Sequence, residues 1–140
     1  MHTILLVDDD KEFRASIHRR LQLAGHNVLE ACDGDEAIAL LSRTSVDVVV
    51  TDVLMPRRDG LQTIQEIRTR WPALKIIAIS GGGFLNAELY LDLSVKLGAT
   101  LALEKPFSCD ELLTAMKGVL ARVKMVPIAA PAPKPPAAIP

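Results

Sequence analysis

Apolar residues along this chain come in short blocks that alternate with segments of helical period. "TILLV" (3–7) is a five-residue apolar run, the pattern of a buried strand. "KEFRASIHRRLQLAG" follows, with Phe13, Ile17 and Leu21 at i, i+4 spacing on one helical face, and Gly25 ends it. "NVLEA" (27–31) predicts a second, weaker strand. Asp33 and Glu36 then mark a helix start, with Ala37, Ile38 and Leu41 facing inward. "VDVVV" (46–50) is β-branched and almost wholly apolar, as a central parallel strand covered on both faces must be. "GLQTIQEIRTRW" places Leu61, Ile64 and Ile67 together, and "LKIIAIS" (74–80) predicts strand four. Leu85, Leu89, Leu93 and Leu97 form a helical stripe that Gly98 closes, and "TLALE" (100–104) predicts strand five. "SCDELLTAMKGVLARV" opens on a Ser108/Glu111 capping box and carries Leu112, Leu113, Met116, Val119 and Leu120 inward.

A strand followed by a helix, five times over, implies a parallel sheet with right-handed crossovers and helices on both faces. Five units are too few for an eight-fold barrel, so the expected fold is α/β, an open doubly wound five-stranded sheet. Such sheets bind ligands beyond the carboxyl ends of their strands. Residues 1–124 form the expected domain. Residues 125–140, where "VPIAAPAPKPPAAIP" begins at Val126, are Ala/Pro-rich and are expected to be an extended, flexible tail; "PKPP" is weak as a proline-motif ligand.

Composition narrows the class. Apolar residues are 49% and charged residues 24%, which suits a soluble globular domain. A net charge of −1 leaves no electrostatic footprint for nucleic acid or an anionic membrane surface, and no apolar run reaches transmembrane length. Cys32 and Cys109 have no zinc or CxxC spacing and, with no signal peptide, read as reduced thiols of a cytoplasmic protein; His2, His18 and His26 form no ligand motif. Trp71, just before Pro72, reads as packing, and Phe84 and Tyr90 read equally as core or as partner surface.

Chemistry collects at the predicted strand ends. Strand one runs into Asp8 and Asp9, strand three into Thr51 and Asp52, strand four into Ser80, and strand five into Lys105. Three carboxylates on one rim repel unless a cation joins them, and oxygen-only ligands select a hard ion such as Mg2+. A carboxylate beside Mg2+, with a lysine and a serine nearby, suits an aspartyl phosphate. Asp10 reads instead as a helix cap.

"ILLVDDDKEFR", "DVVVTDVLMPRRDGL", "IIAIS" and "LEKPF", in this order and each at a strand end, resemble the receiver domain of two-component response regulators over residues 1–124. The resemblance implies the flavodoxin-like strand order 2-1-3-4-5. It implies that Asp52 accepts a phosphoryl group from a histidine kinase or histidine phosphotransfer protein. It implies that Asp8, Asp9, Asp52 and the backbone carbonyl of Leu54 bind Mg2+, that Ser80 and Lys105 contact the phosphoryl group, and that Pro106 sits where the family often has a cis peptide. The added charge would then switch a protein-binding face of helix four, strand five and helix five, with no output segment after residue 124. The chain would promote only its own phosphorylation and dephosphorylation and would not be an enzyme in the usual sense.

Ala102 departs from the family, which commonly has Tyr or Phe three residues before the lysine. An aromatic rotamer switch cannot operate there, and the glycine-rich "SGGGF" (80–84) is the alternative place for the change to be absorbed. Ala102 also leaves open a binding module that has lost the switch. The Asp8/Asp10 D-x-D spacing leaves open an aspartyl-phosphate phosphatase of small substrates, which the short chain, without an evident lid, counts against.

Overall fold

The computed structural model describes residues 1–53, 60–80, 87–105 and 107–129, the side chains at 87, 88, 90, 91 and 122–129 excepted. Strands and helices alternate: β1 (Thr3–Val7), α1 (Lys11–Leu23), β2 (Asn27–Ala31), α2 (Gly34–Leu41), β3 (Val48–Asp52), α3 (Gly60–Arg70), β4 (Lys75–Ser80), α4 (Ala87–Leu97), β5 (Leu101–Glu104) and α5 (Cys109–Ala129). The five strands form one parallel sheet in the order β2-β1-β3-β4-β5, the doubly wound arrangement expected.

Period-2 alternation splits the core in two. Ile4, Leu6, Val48, Val50, Ile77 and Ile79 point to one face and meet Ile17 and Leu21 of α1 and Leu112, Met116 and Val119 of α5. Leu5, Val7, Val49, Ile76 and Ala78 point to the other and meet α2 and α3 through Ala37, Ile38, Leu41, Ile64 and Ile67. Burial on both faces is why the central strands read as unbroken apolar runs. β2 is an edge strand with only Ala31 fully buried, which explains its weaker pattern.

Three expectations shift. β3 lies two residues later than composition placed it. Pairing begins at Val48, opposite Ile4 and Lys75, and continues through Thr51 opposite Val7 and Asp52 opposite Ile79. Asp47 instead closes the strand entrance, its side chain accepting from the Thr3 amide at 2.7 Å. The leucine stripe of α4 does not all face inward: Leu93 and Leu97 pack on the core, while Leu89 is 52% exposed and Ser94 is buried. The helix therefore turns its Ser94 side to the sheet. Finally, α5 runs to Ala129, five residues into the tail expected from Met125; residues 130–140 lie outside the described residues, as do Pro106, residues 81–86, Phe84 and Leu85 among them, and the side chain of Tyr90.

A half-buried arginine holds the sheet's amino-terminal rim. Arg68 Nε and Nη2 donate to the Gly98 carbonyl at 2.9 and 2.8 Å, and Nη1 donates to Pro72 and Leu74 at 2.8 and 2.6 Å. The fork ties the end of α3, the turn into β4 and the end of α4 together, and desolvation lowers the guanidinium's pKa. Gly98, at φ +132°, must be glycine: a Cβ there would lie 2.7 Å from the Arg68 Cβ. Arg68→Ala strands these carbonyls without a donor and is expected to cost about 2 kcal/mol, read as a lower urea midpoint at unchanged slope; Arg68→Lys should recover only part, because one ammonium cannot span the same acceptors.

Candidate functional site

The site is made by register. Val7 pairs with Thr51 and Asp52 with Ile79, so the residues that follow β1, β3 and β4 emerge side by side. The Lys105 amide donates to the Ser80 carbonyl at 2.8 Å, which places Lys105 immediately beyond β5 on the same rim. Carboxylate oxygens of Asp8, Asp9 and Asp52 all lie within 4.8 Å of one another. Lys105 Nζ stands 3.1 Å from Asp8 Oδ2 and 3.6 Å from Asp52 Oδ2. Asp8 and Asp52 are buried and Asp9 is exposed. Ser80 is fully buried on the same rim, and its Oγ has no hydrogen-bond partner among the described residues. An orphaned buried hydroxyl costs stability and is a donor in waiting. Of the expected ligands, only Leu54 lies outside the described residues.

Local hydrogen bonds set the acidic loop. Asp10 Oδ1 accepts from the Glu12 and Phe13 amides, both at 3.1 Å, and so caps α1 as expected. Asp8 Oδ1 accepts from the Asp10 amide at 2.8 Å, and the Asp8 amide donates to the Ala31 carbonyl at 3.1 Å. Arg14 Nη1 donates to the Asp8 carbonyl at 2.6 Å while its Nε holds Glu30 at 2.6 Å. His18 also meets Glu30; burial pushes the Glu30 carboxyl up, but the Arg14 and His18 contacts outweigh it and leave it low. Gly60 closes the other side. A Cβ at Gly60 would lie 2.4 Å from the Val53 Cα and 2.5 Å from the Asp52 carbonyl oxygen, so only glycine lets α3 start against the strand carrying Asp52.

Two aromatic residues also belong here: Phe13, expected on the inward face of α1, and Phe107, whose place in the sequence pointed to no role of its own. The Phe13 ring lies beneath Lys105, with Nζ 4.0 Å from its centre, and Phe107 meets Phe13 edge-on with centres 6.0 Å apart. The signal lay in position along the chain, not in spacing: Phe13 is the first inward position of α1, the turn nearest the acidic loop. Helical periodicity alone could not separate a ring facing the core from one facing a cation. Cys32 and Cys109 are free thiols, and His2 stacks on His26 away from this rim.

Electrostatically the rim is under-compensated. Burial raises the Asp8 pKa above its ordinary value near 3.8; the Asp10 amide and Lys105 pull it back, and Asp9 adds to the rise. A folded-state pKa that is raised favours the fold only while the group keeps its proton. That contribution is full at pH below about 3.8 and is lost as pH rises through the raised value. At neutral pH, Asp8 therefore works against the fold. Asp8→Asn is expected to raise the Tm of the metal-free protein in EDTA by about 3 °C at pH 7, with the gain shrinking toward pH 4; calorimetry across that range checks it.

The sequence and the fold are similar to those of known proteins. The profile of the response regulator receiver domain covers residues 4–117. The transcriptional regulatory protein CpxR of Klebsiella pneumoniae is 39% identical over 87% of this chain and 50% of its own length, and response regulator MprA of Mycobacterium sp. is 37% identical over 85% and 50%. The chain thus spans about half the length of these curated relatives. Among solved structures, the receiver domain of NtrX from Brucella abortus is 31% identical, with TM-score 0.79 over 84% of this chain and 98% of that one. A response regulator receiver domain protein from Clostridium thermocellum is 29% identical, with TM-score 0.82 over 90% and 99%. The sheet order, the converging acids and these similarities agree: the chain belongs to the response regulator receiver domain family.

Proposed function

We propose that this chain is a phosphorylation switch in which Asp52 accepts a phosphoryl group from a phosphohistidine donor on a histidine kinase or phosphotransfer protein. One observation carries the reading: a buried carboxylate, Asp52, is 3.6 Å from a lysine ammonium and clusters with two further carboxylates. An Asp52 oxygen attacks phosphorus and forms the new P–O bond; the P–N bond to the donor imidazole breaks, and its electron pair returns to that nitrogen. Lys105 neutralises charge on the transferred oxygens, and the Ser80 hydroxyl has a hydrogen to give one of them. The donor set is all oxygen and carries excess negative charge, which fits Mg2+ held by Asp8, Asp9 and Asp52. When bound, Mg2+ supplies positive charge to the phosphoryl oxygens.

Asp10 counts against a small-substrate phosphatase, because its Oδ1 is engaged in capping α1. The chain on this reading is a signalling protein rather than a turnover enzyme. A reduced, cytoplasmic setting is part of the same proposal; no helix among the described residues is long and apolar enough to cross a membrane. Signal output through a partner protein also belongs to the proposal, and one relative's name, transcriptional regulatory protein, leaves transcription control as the process to test. The second reading, a constitutive binding module, is favoured by Ala102, half-buried in β5 where an aromatic switch would sit.

Intact-mass spectrometry after incubation with Mg2+ and acetyl phosphate tests the proposal. A single Mg2+-dependent phosphoryl adduct is expected, absent in Asp52→Ala and formed at least about tenfold more slowly in Lys105→Ala. An unmodified wild-type chain, also inert toward phosphorylated histidine kinases, would leave the binding module.

A further inference from the structure

We infer that Phe13 is a positioning residue for Lys105; the inference rests on the phosphoryl-acceptor reading above. Among the described residues the Lys105 ammonium meets Asp8 Oδ2 at 3.1 Å, Asp52 Oδ2 at 3.6 Å and the face of Phe13 at 4.0 Å. A ring face carries negative quadrupole charge, so it attracts the cation while excluding water from it. An aliphatic side chain of similar size would exclude water without attracting the charge. The ammonium is therefore clamped between a π face and the two buried carboxylates, with three of its sides fixed.

The ring's own place is set by the acidic loop. The Phe13 amide donates to Asp10 Oδ1 at 3.1 Å, in the cap that also anchors Asp8 through the Asp10 amide. Ring, cap and acid are one unit at the start of α1. On the far side, Phe107 follows Lys105 by two residues and meets the Phe13 ring at 89°, the edge-to-face geometry that aromatic quadrupoles favour. Both rings pack on the core cluster beneath α1 and α5. A phosphoryl group on Asp52 adds oxygens within reach of an ammonium that the ring already holds beside Asp52, so the Phe13 contact is kept as Lys105 meets them.

Proton NMR and adduct kinetics on the full chain test this together. In the metal-free wild type, the Lys105 ε-methylene protons, assigned against Lys105→Arg, should be displaced upfield by the ring current. Phe13→Leu should abolish the displacement and slow the acetyl phosphate adduct about two- to fivefold, the change expected for losing a partly exposed cation–π contact. Phe13→Tyr, which keeps a π face, should restore both. Undisplaced Lys105 resonances in the wild type, or a Leu variant as fast as wild type, would overturn the inference. A wild type with displaced resonances and no adduct would sink the phosphoryl-acceptor reading and leave the Phe13–Lys105 contact standing.

Discussion

Two carboxylates are buried at the ends of adjacent central strands, and the ammonium of Lys105 touches both. Burying a carboxylate is among the costliest things a fold can do, and here it is done twice within one rim. Much of the surrounding structure follows from holding those groups close. β5 must end level with β4 so that Lys105 can reach across, which the Lys105 amide–Ser80 carbonyl bond enforces. α3 must begin at a glycine to lie against the strand carrying Asp52. The β1–α1 loop must be tied from within, by Asp10 as cap and by Arg14 on the Asp8 carbonyl, or its three acids would separate. Arg14 is itself steadied by Glu30 from β2, so the edge strand supports the acidic loop although it contributes no residue to the rim.

The sheet was legible because its strands are buried on both faces, and burial writes itself into composition. Residues 3–7 and 27–31 agree with β1 and β2 at both ends. Where composition and pairing disagree, pairing decides. Val46 and Asp47 look like strand by their neighbours, yet the strand starts at Val48 because that is where Ile4 and Lys75 offer partners. Asp52 thereby becomes the last residue of β3 rather than the first of a loop, and a strand position holds a carboxylate more rigidly. Leu89 shows the converse failure: helical spacing identifies a stripe but not how much of it the sheet accepts, and α4 packs through Leu93, Leu97 and buried Ser94 while Leu89 stays exposed.

The acids, the serine and the lysine were legible as a set because each follows an apolar run, and a parallel sheet brings such ends together. Their contacts were not. Nothing in the spacing of Phe13, Ile17 and Leu21 distinguishes the two residues that fill the core from the one whose ring meets an ammonium, since all three share a helical face and differ only in height along it. Arg14 and His18 were equally silent. Their partner Glu30 lies on another element, and contacts between side chains far apart in sequence leave no periodic mark.

Comparing the two rims separates a structural buried charge from a functional one. At the amino-terminal rim Arg68 is also taken partly out of water, but three backbone carbonyls from two neighbouring segments accept from its Nε, Nη1 and Nη2. Its demand is met by the chain itself, which leaves no room for an added group and makes it a staple. At the opposite rim the demand is left partly unmet. Asp8 is held above its ordinary pKa, a third acid crowds the pair, and Ser80 keeps an unspent hydroxyl among the described residues. A fold under selection for stability alone would replace such groups with apolar ones of the same volume, at little cost or some gain. Their presence beside Lys105 is intelligible if, as proposed, the missing compensation arrives from outside as positive charge and phosphoryl oxygens. The contrast between a satisfied charge at one end of the sheet and an unsatisfied cluster at the other supports placing the chemistry at the carboxyl ends of the strands.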